Sequence, residues 1–151
     1  MYLLDTNVIS ERMKPTPAPE ILAWLKTVPE NEAAIPSPVL AEILFGLRRM
    51  GEGKRQKQLY TALNDLSEDV QIVSFDAPAA AFYAVITVQR MSIGRPIGIF
   101  DALIASIARA NDMTIVTRDI DGFEHCGVAI LNPWTQGCST LLIDSGRPVA
   151  Y

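Results

Sequence analysis

The sequence predicts an α/β fold with a mainly parallel central sheet of about five strands. Short apolar runs recur along the chain, and segments with helical periodicity separate them. Because parallel strands need long crossover connections, this alternation indicates a mainly parallel sheet. The composition, 49% hydrophobic and 20% charged over 151 residues, is typical of one globular domain with a buried core.

The first half of the chain alternates strand and helix. Proline in the first turn and the apolar face of Ile21, Leu22 and Leu25 predict a helix over 17–28. Ser37 followed by proline is typical of an N-cap and first helical residue, and the two glycines after Met50 end that helix. In this half we expect strands at 2–5, 33–36 and 70–75, and helices at 17–28, 37–50 and 54–66.

The second half continues the pattern as far as Trp134. Asp76 is expected to cap a long helix that ends near Met91. A loop at 93–98 is followed by a helix at 99–110 and by strands at 114–117 and 128–131. We therefore assign residues 1–134 to one domain and 135–151 to a C-terminal extension, which fits a peripheral strand, an oligomer arm or a disordered tail equally well.

Charge and composition exclude several classes of protein. The net charge of −4 and the pI of about 4.9 disfavour a protein that coats nucleic acid. No stretch of about 18 apolar residues predicts a membrane span, and no basic segment followed by an apolar one predicts a secretory signal. Cys126, Cys138 and His125 provide neither a disulfide framework nor a zinc site. A reduced, cytoplasmic protein is expected.

Positive charge is concentrated between the two central helices. Five of the 13 lysine and arginine residues fall within ten positions. This cluster is interpreted as a solvated helical face or a dimer rim, and the alternative is a patch that contacts phosphates. Its members are Arg48, Arg49, Lys54, Arg55 and Lys57.

Three acidic residues lie where an exposed carboxylate is unusual. Asp5 directly follows the first strand. Glu42 lies in SPVLAEILFGL and Asp101 in IFDALIASIARAN, and both helical faces are otherwise apolar. An uncompensated buried carboxylate costs several kcal/mol, so it is tolerated when it is paired, protonated or bound to metal.

A fourth acid follows the strand at 114–117, in the segment TRDIDGF. Ligands of parallel sheets gather beyond the carboxyl ends of the strands, so Asp5 and Asp119 are expected at the same rim. Asp121 is a competing candidate, and both acids also fit an Asx turn closed by Gly122.

The other acids also have structural explanations when each is taken alone. Asp5 fits a turn, Asp101 fits the cap of its own helix, and Glu42 fits an ion pair with Arg49. Together these explanations require separate coincidences at strand ends and apolar faces. Gathered carboxylates raise one another's pKa, and a hard cation such as Mg²⁺ relieves their repulsion without any histidine or cysteine. The residues therefore predict metal-dependent phosphoryl chemistry.

Four motifs, taken in order, resemble those of the PIN-domain ribonucleases and, more closely, the VapC and FitB type toxins of bacterial toxin–antitoxin modules. They are LLDTNVIS, SPVLAEILFGL, IFDALIASIA and VTRDIDGF, and the resemblance covers residues 1–134. It implies a PIN-like three-layer α/β/α fold. The family's acidic quartet maps onto Asp5, Glu42, Asp101 and Asp119.

The resemblance also implies a reaction. A water activated by Mg²⁺ or Mn²⁺ would attack an RNA phosphodiester in line and leave a 5′-phosphate. Asp5 and Asp101 would be the direct metal ligands, while Glu42 and Asp119 complete the site and position water. Three further side chains would orient these carboxylates through hydrogen bonds, namely Thr6, Asn7 and Thr117. Thr6 and Asn7 could also cap the helix after the first strand.

The partners implied by the resemblance are an RNA substrate, a second copy of the chain and a small DNA-binding antitoxin whose basic segment occupies the acidic groove. The apolar segment RPIGIF before Asp101 departs from the pattern and puts the shape of the groove in doubt. One rival is a haloacid-dehalogenase-like phosphatase, which needs a second aspartate where Asn7 stands. Another is a catalytically weak PIN domain that serves only as the antitoxin's partner in a repressor complex.

Overall fold

The central sheet of the chain has five parallel strands, with a two-residue sixth strand paired antiparallel at one edge. It is seen in a computed structural model that describes residues 1–135 and 141–142. The strand order is β3-β2-β1-β4-β5-β6, and the α/β prediction is confirmed. The strands are β1 Tyr2–Leu4, β2 Ala33–Pro36, β3 Gln71–Val73, β4 Thr114–Val116, β5 Ala129–Leu131 and β6 Leu141–Leu142.

Seven α-helices connect the strands in the part of the chain that the structure describes. They are α1 Thr6–Arg12, α2 Pro19–Leu25, α3 Ser37–Arg49, α4 Lys54–Asp69, α5 Ala77–Ser92, α6 Ile99–Ala110 and α7 Ile120–Phe123. The chain moves from β1 through β2 to β3 in one direction, then crosses back to β4 and β5. Because such crossovers are right-handed, the helices of the two directions cover opposite faces of the sheet.

The reversal of direction creates a switch point between β1 and β4. These two strands are hydrogen-bonded neighbours, yet the chain leaves them toward opposite edges of the sheet. In doubly wound sheets the crevice beyond the carboxyl ends at such a point is where ligands bind. The main chain continues the pairing past the strand ends, since Asp5 N donates to Val116 O at 3.1 Å.

The strands form the centre of the core. Leu3, Ala34, Ile35 and Ile115 have no solvent exposure, as expected for parallel strands covered on both faces. Helix α6 adds a fully buried apolar stripe that includes Ile104, the stripe expected along the face below Asp101. The buried strands fix the positions of the residues that follow them at the rim.

Most predicted bounds agree with the structure, and several need correction. The strand 33–36 and the helix 99–110 have the expected bounds, and Asp76 caps α5 by accepting a hydrogen bond from Ala79 N. Helix α2 and strand β3 are shorter than expected, whereas α4 extends to Asp69. Ser37 is the first residue of α3 and not its cap, because Pro36 has the extended backbone of the N-cap.

The C-terminal extension is described only in part. Thr135 and strand β6 belong to the described residues, and the remainder of 135–151 lies outside them. Among the described residues, no helix has the length and apolar character needed to cross a membrane.

Candidate active site

The switch point of the sheet brings the predicted acids to one rim. Asp5 follows β1 and Asp119 follows β4, while Glu42 lies in the second turn of α3 and Asp101 in the first turn of α6. Each of these helices begins at the carboxyl rim, because a connecting helix runs antiparallel to the strands. Their carboxylates interact electrostatically: Asp5, Glu42 and Asp119 all act on Asp101.

Asp5 is buried and held by three hydrogen bonds. Its Oδ1 accepts from Thr6 N at 2.7 Å, and its Oδ2 accepts from Asn7 Nδ2 at 2.7 Å and from Thr117 Oγ1 at 2.8 Å. Asp5 is 6% exposed and also caps α1, a role that the sequence suggested for Thr6 or Asn7. The carboxylate is therefore fixed in one orientation by residues from two neighbouring strand ends.

Thr117 is the centre of this network. The residue has no solvent exposure, and its Oγ1 donates to Asp5 while it accepts from Asn7 Nδ2 at 2.8 Å and from Asp119 N at 2.9 Å. Asn7 Oδ1 also accepts from Arg118 N at 3.3 Å. The expected hydrogen bonds from Asn7 and Thr117 are thus present, and they join the end of β1 to the end of β4.

Glu42 is half-buried and contacts the end of β1. Its Oε2 accepts a hydrogen bond from Thr6 Oγ1 at 2.6 Å, so the predicted orienting role of Thr6 is also met. The alternative ion pair with Arg49 is absent from the described residues. Arg49 instead lies with its guanidinium 5.6 Å from the centre of the Phe45 ring.

Asp101 lies beside a glycine that leaves room for its carboxylate. The N-cap of α6 is Gly98, which excludes the alternative in which Asp101 caps its own helix. A Cβ atom on Gly98 would stand 3.0 Å from Asp101 Oδ2, closer than ordinary contact. Any larger residue at position 98 would therefore move the carboxylate.

Asp119 and Asp121 are both exposed, and Asp119 acts electrostatically on the other acids. Asp119 Oδ1 accepts from Gly122 N at 3.1 Å and caps α7, so the Asx-type hydrogen bond considered from the sequence does exist. A Cβ on Gly122 would lie 2.7 Å from Asp119 Oδ2. The carboxylate of Asp119 also acts on both Asp5 and Asp101.

Burial and mutual repulsion raise the proton affinity of this site. Desolvation and, to a smaller extent, the charges of Asp5, Asp119 and Glu42 together raise the pKa of Asp101 to about 6, against a lowering by Arg90. Desolvation also raises the pKa of Asp5, although its hydrogen bonds from Thr117 and Thr6 oppose this shift. The protein thus holds two carboxylates where a negative charge is costly without a cation.

The donor set fits a divalent cation that keeps most of its water. No three histidine, cysteine, aspartate or glutamate side chains within 1–135 and 141–142 are arranged to hold a metal by themselves. Mg²⁺ is commonly held by one or two carboxylates together with water and substrate phosphate. Within the described residues no lysine or arginine forms an ion pair with Asp5 or Asp101, so their charge is not neutralised by a salt bridge.

Sequence reasoning missed Gly98 and Arg90, which shape this rim, and gave Gly122 only the closing of a turn. Gly98 and Gly122 leave space for Asp101 and Asp119, and each precedes or follows its acid by three residues. Arg90 is 5% exposed and its charge acts on Asp101. Its signal in the sequence was a single arginine within the otherwise apolar or neutral segment AFYAVITVQRMS.

Two apolar surfaces lie near the acids. A groove of about 910 Å³ begins at Thr6 and Glu42 and lies between α1, α3, α4 and the turns after α1 and α3. Its surface is mainly apolar, and Lys14 and Arg55 are among its lining residues. A second surface is formed where α5 ends and α6 begins. It exposes Val88, Met91, Ile93, Ile99 and Phe100. The predicted basic cluster is exposed throughout, as expected for a solvated helical face.

Comparison with known proteins gives consistent results. The PIN domain family model matches residues 2–128. The chain is 36% identical over 140 residues to the VapC ribonuclease Y4jK of Sinorhizobium fredii, with 89% of this chain and 98% of the relative covered. It is 34% identical over 137 residues to the toxin FitB of Neisseria gonorrhoeae, with 89% and 99% covered.

Solved structures show the same fold. The crystal structure of FitAcB from Neisseria gonorrhoeae matches with a TM-score of 0.84 at 34% identity, over 90% of this chain and 100% of the other. The structure of VapBC2 from Rickettsia felis, solved bound to a DNA fragment from the VapBC2 promoter, matches with a TM-score of 0.72 at 30% identity. The match covers 81% of this chain and 90% of the other.

Proposed function

The chain belongs to the PIN-domain family, and we propose that it is a metal-dependent endoribonuclease, the toxin of a toxin–antitoxin pair. The observation that carries the proposal is the gathering of Asp5, Glu42, Asp101 and Asp119 at the switch point of the sheet. Relatives with similar sequences are named ribonuclease and toxin. We further propose that it acts on RNA in the cytoplasm.

Asp5 and Asp101 would hold a divalent cation, Mg²⁺ or Mn²⁺ in its place. Such a cation would supply charge neutralisation at the scissile phosphate and a water of lowered pKa. The hydrogen bonds to Asp5 oppose the rise in its pKa and hold the carboxylate in one orientation. Because Gly98 has no side chain, the Asp101 carboxylate has room to lie beside it at the rim.

Glu42 and Asp119 position the attacking water. Glu42 Oε2 is occupied by Thr6, and within the described residues no side chain donates to its Oε1, which leaves that oxygen to accept from water. Water forms a bond to phosphorus in line with the leaving 3′ oxygen, and the bond from phosphorus to that oxygen breaks. The attacking water gives up one proton to solvent, the leaving oxygen takes one up, and the products carry a 5′-phosphate and a 3′-hydroxyl.

The proposed protein partner is a small antitoxin that binds DNA. Its apolar side chains would occupy the groove beside Thr6 and Glu42, and a basic side chain would reach the acids. The surface of the groove is mainly apolar and its lining includes no aromatic residue, so it suits a peptide or helix better than a stacked base. The similarity to VapBC2, solved with promoter DNA, supports a DNA-binding partner.

The second proposed partner is another copy of the chain. Val88, Met91 and Ile99 are 66%, 64% and 68% exposed at one end of the α5–α6 pair, which is unusual for side chains of this size. Association through this end would bury them and place two acidic rims near each other, because Asp101 lies two residues after Ile99. A homodimer is therefore part of the proposal.

An alternative is a catalytically weak PIN domain that acts only with its antitoxin in a repressor complex. The similarity to a structure solved with promoter DNA favours it. The two functions differ in whether the partner-free protein cleaves RNA.

The deciding experiment uses protein purified without its partner. RNA cleavage in Mg²⁺ and growth arrest on expression are compared for wild type, Asp5→Asn, Asp101→Asn and Asp121→Asn. We expect wild type and the exposed-acid control Asp121→Asn to cleave and to arrest growth, while the other two variants do neither. Cleavage that survives both Asp5→Asn and Asp101→Asn would refute the metal-site mechanism. An inactive wild type would favour the repressor-partner function.

A further inference from the structure

Arg90 is a buried cation in the last turn of α5. It is 5% exposed, and within the described residues no carboxylate lies within ion-pair distance of it. A buried charge without a paired ion costs several kcal/mol. Its retention therefore calls for a role that a neutral residue could not fill.

The guanidinium of Arg90 joins two main-chain segments. Its Nε donates to Arg95 O at 2.7 Å, and its Nη1 donates to Glu124 O. The main chain of Arg90 also holds the first of these segments, since Arg95 N donates to Arg90 O at 2.9 Å. Arg95 is thus held by Arg90 at both its N–H and its carbonyl.

One of these two segments precedes Asp101 in the chain, and the other follows Asp119. Arg95 lies in the loop that leads to Gly98, the N-cap of α6, and Asp101 follows in the first turn. Glu124 is the C-cap of α7, a four-residue helix whose N-cap is Asp119. A single side chain therefore connects the segment before Asp101 to the segment after Asp119.

A second, exposed connection joins the same segments. Arg95 Nη1 lies 2.8 Å from Glu124 Oε2 and 3.2 Å from His125 Nε2. Exposed ion pairs contribute little to stability because water and salt screen them. The buried contacts of Arg90 are therefore the stronger connection, and the surface pair provides a natural control.

We propose that Arg90 is a positioning residue of the acidic site, which sets the separation of Asp101 and Asp119 by joining the main chain before α6 to the main chain after α7. The inference rests on the proposed function, since the separation matters for holding the cation and its water. A role through charge alone predicts the opposite result. Removing a nearby positive charge would strengthen cation binding, whereas loss of positioning would weaken it.

The test measures Mn²⁺ binding by isothermal titration calorimetry for wild type, Arg90→Lys, Arg90→Met and Arg95→Gln. We expect both Arg90 variants to bind Mn²⁺ about tenfold more weakly, the usual effect of losing a group that orients a ligand. Arg95→Gln, which keeps its main-chain carbonyl, should bind within about twofold of wild type. Hydrogen–deuterium exchange should show faster exchange in residues 95–101 of Arg90→Lys.

Arg90 variants that bind Mn²⁺ as tightly as wild type, or more tightly, would overturn the inference. If Arg90→Met does not fold, Arg90→Lys decides the question, because lysine keeps the charge and loses the fork that reaches both carbonyls. Failure of both variants to fold would also overturn it, since Arg90 would then support the whole domain. A wild type that binds no Mn²⁺, or whose binding survives Asp101→Asn, would instead overturn the proposed function.

Discussion

Thr117 Oγ1 donates a hydrogen bond to Asp5 Oδ2 at 2.8 Å, across 112 positions of sequence. This bond joins the ends of the two strands that flank the switch point, and it is fully buried. The same oxygen accepts a hydrogen bond from Asp119 N. One hydroxyl group therefore contacts both the Asp5 carboxylate and the main chain of Asp119. The site therefore depends on the pairing of β1 with β4 and not on any single loop.

Replacement of that hydroxyl should reduce both activity and stability. In Thr117→Val the hydrogen bond to Asp5 and those accepted from Asn7 and Asp119 are lost, which costs about 1–3 kcal/mol of unfolding free energy. RNA cleavage should fall about 10- to 100-fold because the ligand is no longer held in one orientation. Initial cleavage rates and thermal melting measure the two effects. Thr117→Ser is the control, and a fully active Thr117→Val would contradict the role given to Thr117.

Gly98→Ala should displace the carboxylate of Asp101 without unfolding the protein. The added Cβ would lie 3.0 Å from Asp101 Oδ2, whereas the backbone at position 98 is extended and accepts alanine. We expect cleavage to fall at least about tenfold, since small misplacements of a reacting group are costly. Gly53→Ala, where a Cβ meets nothing within 4 Å, should retain wild-type cleavage. Equal rates for the two variants would rule out the packing argument.

The stability of the metal-free protein should depend on the protonation of Asp101. Its pKa is raised to about 6 from 3.8, so the folded state binds the proton more tightly than the unfolded state does. This contribution is complete below about pH 4 and is lost as the pH rises to about 6. The shift corresponds to about 3 kcal/mol, reduced to about 1–2 kcal/mol by solvent screening of a half-buried group.

Asp101→Asn should therefore be more stable than wild type at pH 7.5 in EDTA, and this advantage should shrink toward pH 4.5. Chemical unfolding at the two pH values measures it, with Asp121→Asn as the exposed-acid control. An advantage that stays constant with pH would show that Asp101 does not titrate in this range.

The apolar end of the α5–α6 pair should hold the proposed homodimer together. Met91→Glu and Ile99→Glu each place a charge within a surface of large exposed side chains, and a buried charge without a partner is costly. Both variants should elute as monomers in size-exclusion chromatography with light scattering, while Thr61→Glu on α4 should elute with wild type. A wild type that is monomeric at high concentration would contradict the homodimer.

The fold was largely predictable because its signals are local. The strand at 33–36 and the helix at 99–110 are each defined by a few neighbouring residues, and both have the expected bounds. The order of the strands was not predictable in the same way. The pairing of β1 with β4 joins residues more than 100 positions apart, and no short motif specifies it.

The acids could be identified from their unusual neighbours, but their supports could not. Asp101 is conspicuous because its helical face is apolar, and Glu42 because it interrupts an apolar helix. Gly98 and Arg90 act through shape and through main-chain carbonyls, which leave little trace in the pattern of apolar and polar residues. The sequence did not predict that Asp5 caps α1, because the same carboxylate both accepts a hydrogen bond at the start of that helix and belongs to the acidic site at the rim.

Asp5 and Asp101 are proposed to hold a divalent cation at the switch point of the sheet. Crystals soaked in Mn²⁺ and measured at the manganese absorption edge test this directly. We expect an anomalous peak at the rim between β1 and β4, in contact with the carboxylates of Asp5 and Asp101 and absent from Asp101→Asn. Full occupancy at another place, with none at this rim, would contradict it.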